Sequence, residues 1–229
     1  MLDVGTGSGI WAIDFADDHP ECVVIGIDLS PIQPPYIPPN CRFYVEDAEQ
    51  EWSFNEPFDY IHARMLVVSI KNWAKFFGQA YANLKPGRYI ELQDMNFPPR
   101  CDDDTAPPDS PIMQWSKYMI EASGNLGLDI EVLDSFPSLL AAAGFIDIKS
   151  ETHSWPMNSW PRDETMKQRG IWVMQDFLQG LQGFSMAYFT KGLGWKPAEV
   201  EVMMSKVRAQ TRDKRSHVYT PASVSGLEV

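Results

Sequence analysis

Three glycines alternate with other residues near the start of the chain, and their spacing predicts a ligand-binding turn. Gly5, Gly7 and Gly9 remove every Cβ from one side of this turn, so backbone N–H groups and the start of the next helix can approach a ligand closely. A dinucleotide fingerprint would place its third glycine at position 10, where this chain has Ile10. The spacing therefore disfavours a pyrophosphate ligand.

An acid follows at a distance that suits a nucleoside ligand. Residues 22–27 are rich in β-branched side chains, which predicts a buried parallel strand, and Asp28 ends it 19 residues after Gly9. A carboxylate there can accept hydrogen bonds from both hydroxyls of an adenosine ribose. The alternative is an acid that merely closes a turn over residues 28–31. The glycines favour the ribose role.

A third predicted strand, over residues 42–45, also ends beside acids. Asp47 can accept a hydrogen bond from an adenine amino group while the next backbone N–H, that of Ala48, donates to the ring. Three acids within residues 46–49 are more often found in a solvated loop. Only the position directly after a strand favours a functional Asp47.

Two histidines are the candidates for a catalytic base. His62 lies near the end of a predicted fourth strand over residues 58–64, at the crevice where open parallel sheets bind ligands. His153 follows a predicted sixth strand over residues 145–151. A base is needed only where the substrate must lose a proton. No Ser-His-Asp, Cys-x-x-Cys or His-Glu-x-x-His pattern supports hydrolysis or zinc chemistry.

Strand and helix patterns alternate over about the first ninety residues, which predicts a doubly wound α/β sheet. Prolines in residues 31–40 exclude an ordinary helix, so an extended loop must lead to the third strand. Apolar residues at helical spacing run from Trp73 to Leu84, and a Pro-Gly turn leads to a fifth strand over residues 88–93. Further helices are predicted over residues 113–126 and 132–143.

These residues together resemble the fungal LaeA-like, or TAM-domain, class I methyltransferases, which are associated with regulation of secondary metabolism. The resemblance rests on residues 2–13, 25–34, 47–49, 58–66 and 84–87, and it covers nearly the whole chain. It implies a Rossmann-like, mostly parallel sheet, with an antiparallel last strand, and S-adenosyl-L-methionine (SAM) as methyl donor. The cofactor-binding residues that it implies are Asp3, Gly5, Thr6, Gly7, Gly9, Asp28, Leu29, Asp47, Ala48, Ala63 and Arg64.

The same resemblance assigns roles within that set. Asp3 would lie near the methionyl amino group with residues 5–9 around it, Asp28 on the ribose, and Asp47 with Ala48 on the adenine. The methyl acceptor stays open between a small apolar metabolite and a protein side chain. A second hypothesis is a regulator that keeps the fold and acts through protein partners. A nicotinamide oxidoreductase is disfavoured by the glycine spacing and by the lack of a Tyr-x-x-x-Lys pair in the right region.

Two departures from the family pattern stand out. Family members carry a long N-terminal region that covers the cofactor, whereas two residues precede Asp3 here, so we expect the edge of the site and apolar surface to be exposed. The family also closes its sheet with an antiparallel strand. Residues 216–219 begin one, but Pro221 and Gly226 are expected to interrupt it. We therefore expect a truncated or alternatively predicted gene product.

The chain is predicted to be a single methyltransferase domain over residues 1–229. Its predicted parts are a SAM-binding core over 1–95, further core helices and the sixth strand over 96–151, a helical cap insertion over 152–215, and an incomplete last strand with a tail over 216–229. The aromatic residues of the cap either line an apolar acceptor pocket or, as we prefer for most of them, pack the insertion onto the sheet.

The composition of the chain limits the classes of partner and compartment that suit it. With 229 residues, 44% of them hydrophobic, the chain can bury one core, and no apolar run suggests a membrane span or a secretion signal. Three sparse cysteines, of which Cys22 and Cys41 are expected to be buried, suit a reducing compartment, either cytoplasm or nucleus. A net charge of −12 argues against a nucleic-acid acceptor. The basic cluster over residues 208–215 is expected to be structural or at most a weak nuclear-targeting signal, and the acids 102–104 are expected to form an exposed loop without metal.

Overall fold

The computed structural model describes the backbone of residues 1–228 and the side chains of residues 1–225. The ends of its strands position the candidate site. In chain order the elements are β1 (Leu2–Val4), α1 (Ile10–Asp18), β2 (Val24–Asp28), β3 (Cys41–Val45), β4 (Phe58–Arg64), α2 (Trp73–Ala82), β5 (Leu84–Met95), α3 (Pro111–Asn125), a short 3-10 helix (Val132–Ser135), α4 (Phe136–Ala143), β6 (Ile146–Pro156), α5 (Glu164–Gly192), α6 (Pro197–Arg212) and β7 (Tyr219–Glu228).

Seven strands form one sheet in the order β3-β2-β1-β4-β5-β7-β6. β1 pairs in parallel with β2 on one side and with β4 on the other, and the flanking pairs β2–β3 and β4–β5 are also parallel. The order of the strands reverses between β1 and β4, which is where such sheets leave a crevice at the carboxyl ends of their strands. The predicted doubly wound, mostly parallel α/β fold is confirmed.

Helix α1 covers one face of the sheet beside β1. Its buried Ala12 and Ala16 pack with Val24 and Cys41, since small side chains let the helix approach the strands closely. Asn40 ties the end of the helix to the neighbouring strands, because its amide nitrogen donates to the carbonyl oxygens of residues 16, 19 and 22. The buried Cys41 matches its prediction, whereas Cys22 is only partly buried.

An aromatic cluster joins α2 and α4. The Trp73 and Phe77 rings lie 4.5 and 5.1 Å from the Phe136 ring, measured between centroids. Burial of such large rings contributes much of the packing energy of a core. The N-terminus of α2 is capped by Asn72, whose side chain accepts a hydrogen bond from the Lys75 N–H.

The Pro-Gly segment before the fifth strand does not separate it from α2 as predicted. α2 ends at Ala82, and β5 already begins at Leu84. Leu84 pairs with Phe58 while Tyr89 pairs with Tyr60, so three additional residues are accommodated within β5 as an irregularity. Pro86 lacks an N–H and Gly87 has a φ of +72°, which explains why regular pairing is interrupted here without ending the strand.

The sixth strand is longer than predicted. β6 extends from Ile146 to Pro156, whereas the predicted strand ends at residue 151. The predicted interruption of the last strand is wrong, since β7 continues through Pro221. Proline removes only one donor, and the Pro221 carbonyl oxygen still accepts a hydrogen bond from the Asn96 N–H at 2.8 Å. Val229, the end of the predicted tail, lies outside the described residues.

The chain divides into two compact units. The first comprises Met1–Asp94, Asp134–Glu151 and the residues from Ser223 onward, and it holds β1 to β4 with α1, α2 and α4. The second comprises Met95–Leu133 and Thr152–Ala222, and it holds α3, α5 and α6. The predicted single domain with a cap over 152–215 stays a prediction.

Candidate functional site

The glycine turn lies between β1 and α1 and has the backbone geometry that only glycine adopts easily. Gly5, Gly7 and Gly9 have φ values of +68°, +57° and +78°. A Cβ on Gly5 would lie 2.4 Å from Leu66, and one on Gly9 would lie 2.5 Å from Phe43. A Cβ on Gly7 would meet no atom within 4 Å, so the loop has open space beside its middle glycine.

Asp28 organises this loop from the end of β2. Its Oδ2 accepts a hydrogen bond from the Gly7 N–H at 2.8 Å, and its Oδ1 accepts one from the Ser30 N–H at 2.9 Å. Each carboxylate oxygen can accept a second hydrogen bond, so Asp28 keeps acceptor capacity for a ligand. Asp28 can therefore close the turn over residues 28–31 and still accept hydrogen bonds from ribose hydroxyls.

Gln33 is a loop residue whose role sequence reasoning missed. Its amide nitrogen donates to the carbonyl oxygen of Gly7 at 2.6 Å and to that of Ser30 at 2.9 Å, which ties the glycine loop to the segment after β2. The string Asp-Leu-Ser-Pro-Ile-Gln had already contributed to the family resemblance, and it was the available signal. Leu29, in the same segment, is exposed, with 69% of its surface accessible.

Asp3 and His62 occupy facing positions on β1 and β4 and form a buried pair. The distance between Asp3 Oδ1 and His62 Nδ1 is 2.7 Å, and their side chains are 4% and 1% exposed. Asp3 Oδ2 accepts a hydrogen bond from the Thr6 hydroxyl at 2.6 Å. The Trp11 ring stacks on the His62 ring, with 3.6 Å between centroids and 12° between planes. The structure therefore brings three predicted site residues into direct contact.

Tyr60 and Glu91 lie beside this pair. Burial raises the pKa of Tyr60 well above its ordinary value, and the Glu91 carboxylate, to which its hydroxyl is hydrogen-bonded, raises it further. Burial also raises the pKa of the Cys41 thiol, with a smaller contribution from the negative charge of Asp3. This face of the first unit is thus a low-dielectric environment around a negative carboxylate.

The acids after β3 divide into two roles. Asp47 is partly buried, and its carboxylate accepts hydrogen bonds from the Glu49 N–H and the Gln50 side chain, at 2.9 and 3.3 Å. The Ala48 carbonyl oxygen accepts the Trp52 indole N–H at 3.0 Å. This segment lies next to Asp28, because the N–H that follows Val45 donates to the Asp28 carbonyl oxygen at 3.1 Å.

Glu49 has a structural role. Its Oε1 accepts hydrogen bonds from the N–H groups of Lys71 and Asn72, at 2.9 and 3.0 Å, and so stabilises the approach to α2. The adenine role predicted for Asp47 and Ala48 stays a prediction.

The end of β4 carries the last two predicted cofactor residues and one acid that the prediction missed. Ala63 is buried, whereas Arg64 is exposed. Asp94, buried at the end of β5, accepts hydrogen bonds from the N–H groups of Leu66 and Val67, both at 2.7 Å. An acid at a strand end was the signal that led to Asp28, and the same rule would have found Asp94.

His153 differs from His62 in its surroundings. It lies on β6, within the second unit, and is exposed. A base role for either histidine stays a prediction.

Exposed apolar side chains flank the loop. Ile10 and Ile32 are exposed alongside Leu29. β1 itself is fully buried, because β2 and β4 cover its edges and Leu2 and Val4 are inaccessible. Apolar exposure at this end of the sheet is therefore found around the loop and not on the strand.

Aromatic residues of the second unit pack α5 onto α3. The Trp115 ring lies 5.2 Å from Phe177 and 5.8 Å from Phe184, and its indole N–H donates to the Ser185 hydroxyl at 2.9 Å. The preference for a packing role is supported, although the partner of these rings is α3 rather than the sheet. The predicted cap contributes nine large aromatic or methionine side chains to this packing question, and Trp172 among them is exposed. They are Trp155, Trp160, Trp172, Phe177, Phe184, Met186, Tyr188, Phe189 and Trp195.

The acidic loop of the second unit is held by hydrogen bonds. Asp103 pairs with His217 and Thr105, while Asp102 accepts the Tyr219 hydroxyl at 3.1 Å. The His217 side chain lowers the pKa of Asp103. Among the described residues, no three histidine, cysteine or acidic side chains are grouped to hold a metal ion.

Ion pairs engage part of the basic cluster near the end of α6. Arg208 lies 3.6 Å from Glu201, and Arg215 lowers the pKa of Asp213 to about 2 through side-chain hydrogen bonds. These contacts agree with a structural role for the cluster. No helix in the described part of the chain is long and apolar enough to cross a membrane.

A mostly parallel sheet with a glycine loop after its first strand and an acid after its second is the arrangement of class I methyltransferases. The chain belongs to the methyltransferase-domain family, whose model matches residues 1–150. The predicted SAM-dependent methyltransferase class, SAM as its cofactor and the LaeA-like kinship are thereby confirmed.

Two curated fungal relatives match nearly the whole chain. The methyltransferase pytC of Aspergillus terreus is 38% identical over 95% of this chain and 67% of its own length. The secondary metabolism regulator LAE1 of Cochliobolus heterostrophus is 39% identical over 96% of this chain and 73% of its own length. Among solved structures, phosphoethanolamine N-methyltransferase 2 of Haemonchus contortus, in complex with SAM, has a TM-score of 0.56 and 21% identity over 100% of this chain and 48% of that one. At that identity the likeness supports the fold alone.

Proposed function

We propose that this protein transfers the methyl group of SAM to a small secondary metabolite or to a protein side chain, and that the glycine loop binds the cofactor. The observation that carries the proposal is the loop itself: it is left-handed at three glycines, tied to Asp28 at Gly7, and open beside Gly7. This open backbone is the kind of cradle that a nucleoside ligand with a charged tail requires.

When bound, SAM supplies a methyl group on a positively charged sulfur that is already activated for transfer. The residues of the chain then have to bind and orient the two reactants, which supplies much of the rate. Asp28 has lone pairs left for the ribose hydroxyls, and Asp47 with Ala48 is available to the adenine. α1 has no side-chain cap at its N-terminus, so its first N–H groups can donate to the carboxylate of the cofactor.

The net charge and the relatives limit the classes of methyl acceptor. A net charge of −12 does not suit a nucleic-acid substrate, so we propose a small molecule or a protein. The name of pytC supports an enzymatic role, and the cysteine usage supports the cytoplasm or the nucleus as its location. Imaging of a fluorescent fusion tests the location.

The first experiment is calorimetric titration of the purified chain with SAM and, separately, with NAD. We expect SAM alone to bind, and Asp28→Ala to weaken SAM binding at least about 30-fold, because both ribose contacts and the loop tie are lost. Asp59→Ala is the matched control, since Asp59 is a half-exposed acid paired with Lys85 and Arg88. NAD binding in preference to SAM, or equal SAM affinity in wild type and Asp28→Ala, would contradict the proposal.

A second candidate function is regulation through protein partners, favoured by the 39% identity with the regulator LAE1. Gly7→Asp separates the two, because it places a carboxylate where the backbone meets the cofactor. If methyl transfer is required, this variant should lose both SAM binding and cellular function. A variant that loses SAM binding but keeps its protein partners and its cellular function would favour the regulator.

A further inference from the structure

The Asp3–His62 pair has a defined polarity. An ionised carboxylate only accepts hydrogen bonds, so the 2.7 Å contact requires a hydrogen on His62 Nδ1. The other carboxylate oxygen accepts the Thr6 hydroxyl at 2.6 Å. Each Asp3 oxygen thus has one donor from the protein and one lone pair left for a further donor.

The imidazole ring is held by stacking rather than by a second hydrogen bond. His62 Nε2 is buried and has no hydrogen-bond partner within the described residues. Trp11 fixes the plane of the ring at 3.6 Å, and Trp11 is itself stacked on Phe15 at 5.3 Å. The neighbouring acid on β5, Glu91, is engaged by the Gln93 amide at 2.5 Å and by Tyr60, so Asp3 is the carboxylate that His62 binds.

This geometry does not suit a base. Nδ1 is occupied by Asp3, and Nε2 is shielded from solvent. A general base needs an atom within hydrogen-bond reach of the substrate proton. What the geometry does provide is a carboxylate whose orientation is fixed from two sides by Thr6 and His62, at the start of the glycine loop.

We propose that His62 is a positioning residue: its Nδ1–H orients the Asp3 carboxylate toward the ammonium group at the amino-acid end of the cofactor, and Trp11 holds the ring in place. This inference rests on the proposed SAM site. Because a hydrogen bond between charged groups depends strongly on direction, a fixed carboxylate binds an ammonium better than a mobile one. His62 thereby gives the site its selectivity for ligands that carry this ammonium group.

Two ligands and two variants isolate the effect. S-adenosylhomocysteine carries the amino-acid end, whereas 5′-methylthioadenosine lacks it and keeps the nucleoside. H62F keeps a flat ring for Trp11 but no donor, and H62N keeps a side-chain N–H donor but no ring. We expect H62F to weaken S-adenosylhomocysteine binding about 10-fold while methylthioadenosine binding changes less than about 2-fold, and H62N to recover most of the loss.

Calorimetry gives the affinities, and thermal unfolding confirms that the variants are folded. Unchanged S-adenosylhomocysteine affinity in H62F, or equal weakening of both ligands, would overturn the positioning role. A wild-type chain that binds neither ligand would instead reject the proposed SAM site. Nitrogen-15 NMR of the wild-type imidazole needs no variant: a hydrogen on Nδ1 and none on Nε2 is expected, and the reverse tautomer would overturn the proposal.

Discussion

Carboxylates hold the loops around the candidate site of the first unit, whereas aromatic rings pack the long helices of the second unit against one another. In the first unit, Asp28, Glu49 and Asp94 each accept hydrogen bonds from two backbone N–H groups in loops that follow strands. In the second unit, Trp115 packs α3 against α5, and Phe189 and Trp195 pack at 5.1 Å. Directional contacts fix loop geometry, and ring packing supplies burial.

This difference predicts which substitutions should alter ligand binding and which should alter stability. Loss of a loop carboxylate or a loop glycine should alter ligand binding more than stability, because these residues shape exposed backbone. Loss of a buried ring should alter stability more than binding, since its contacts are apolar and lie within one unit. Three predictions test this contrast.

The largest expected effect is on the stability of the second unit. Phe189 is fully buried, so Phe189→Ala should lower the free energy of unfolding by about 3–5 kcal/mol through lost burial and the cavity left behind. Urea unfolding followed by circular dichroism measures it. Trp172→Ala is the control, because Trp172 is 64% exposed, and it should cost less than about 1 kcal/mol. Equal losses for both variants would contradict the packing role assigned to α5.

A matched pair of glycines tests the loop. Gly7 and Gly87 have φ values of +57° and +72°, and a Cβ on either would meet no atom within 4 Å. Alanine at either position should therefore cost a similar strain of about 1–2 kcal/mol, measured by thermal unfolding. Only Gly7→Ala should also weaken SAM binding, by about 10-fold, because its Cβ occupies the open space of the proposed cradle. The same SAM affinity in both variants would place the ligand elsewhere.

The smallest expected effect concerns alkaline pH. The pKa of Tyr60 is raised in the folded state, so above about pH 10 the unfolded chain binds fewer protons and stability falls as pH rises. Tyr60→Phe should reduce that fall by about 1 kcal/mol or less, since Tyr60 is partly accessible and its interactions are screened. Unfolding free energies at about pH 8 and pH 11 measure it, with Tyr89→Phe, at an exposed position, as control. An undiminished fall in Tyr60→Phe would contradict the raised pKa.

Much of the parallel half of the sheet could be predicted from the sequence. β4 matches its predicted bounds, residues 58–64. β5 and β7 were predicted less well. Local sequence rules predict that Pro86 and Pro221 interrupt their strands, because proline lacks an N–H. Hydrogen bonds to a neighbouring strand compensate for this one missing donor. The local sequence does not show which hydrogen-bonding groups the neighbouring strand provides.

The alternate glycines and Asp28 stand out in the sequence because few structures explain these residue types at this spacing, and the structure joins them through the Gly7 N–H. Their roles in binding the cofactor stay predictions. Gln33 and Asp94 were missed, and their partners are backbone groups distant in sequence. A glutamine or an acid in a loop has many possible roles until the fold selects its neighbours.

The sequence by itself determined the class of this protein, because the glycine turn and the strand-end acid follow from local backbone geometry and short-range spacing. Only the tertiary structure decided the surroundings of His62. On its strand it is one of several polar residues near a crevice. Once β1 and β4 pair in register and α1 brings Trp11 over the sheet, the same imidazole is buried, stacked and hydrogen-bonded to Asp3. Pairing register and helix packing are long-range properties, and the residues next to His62 in the sequence do not encode them.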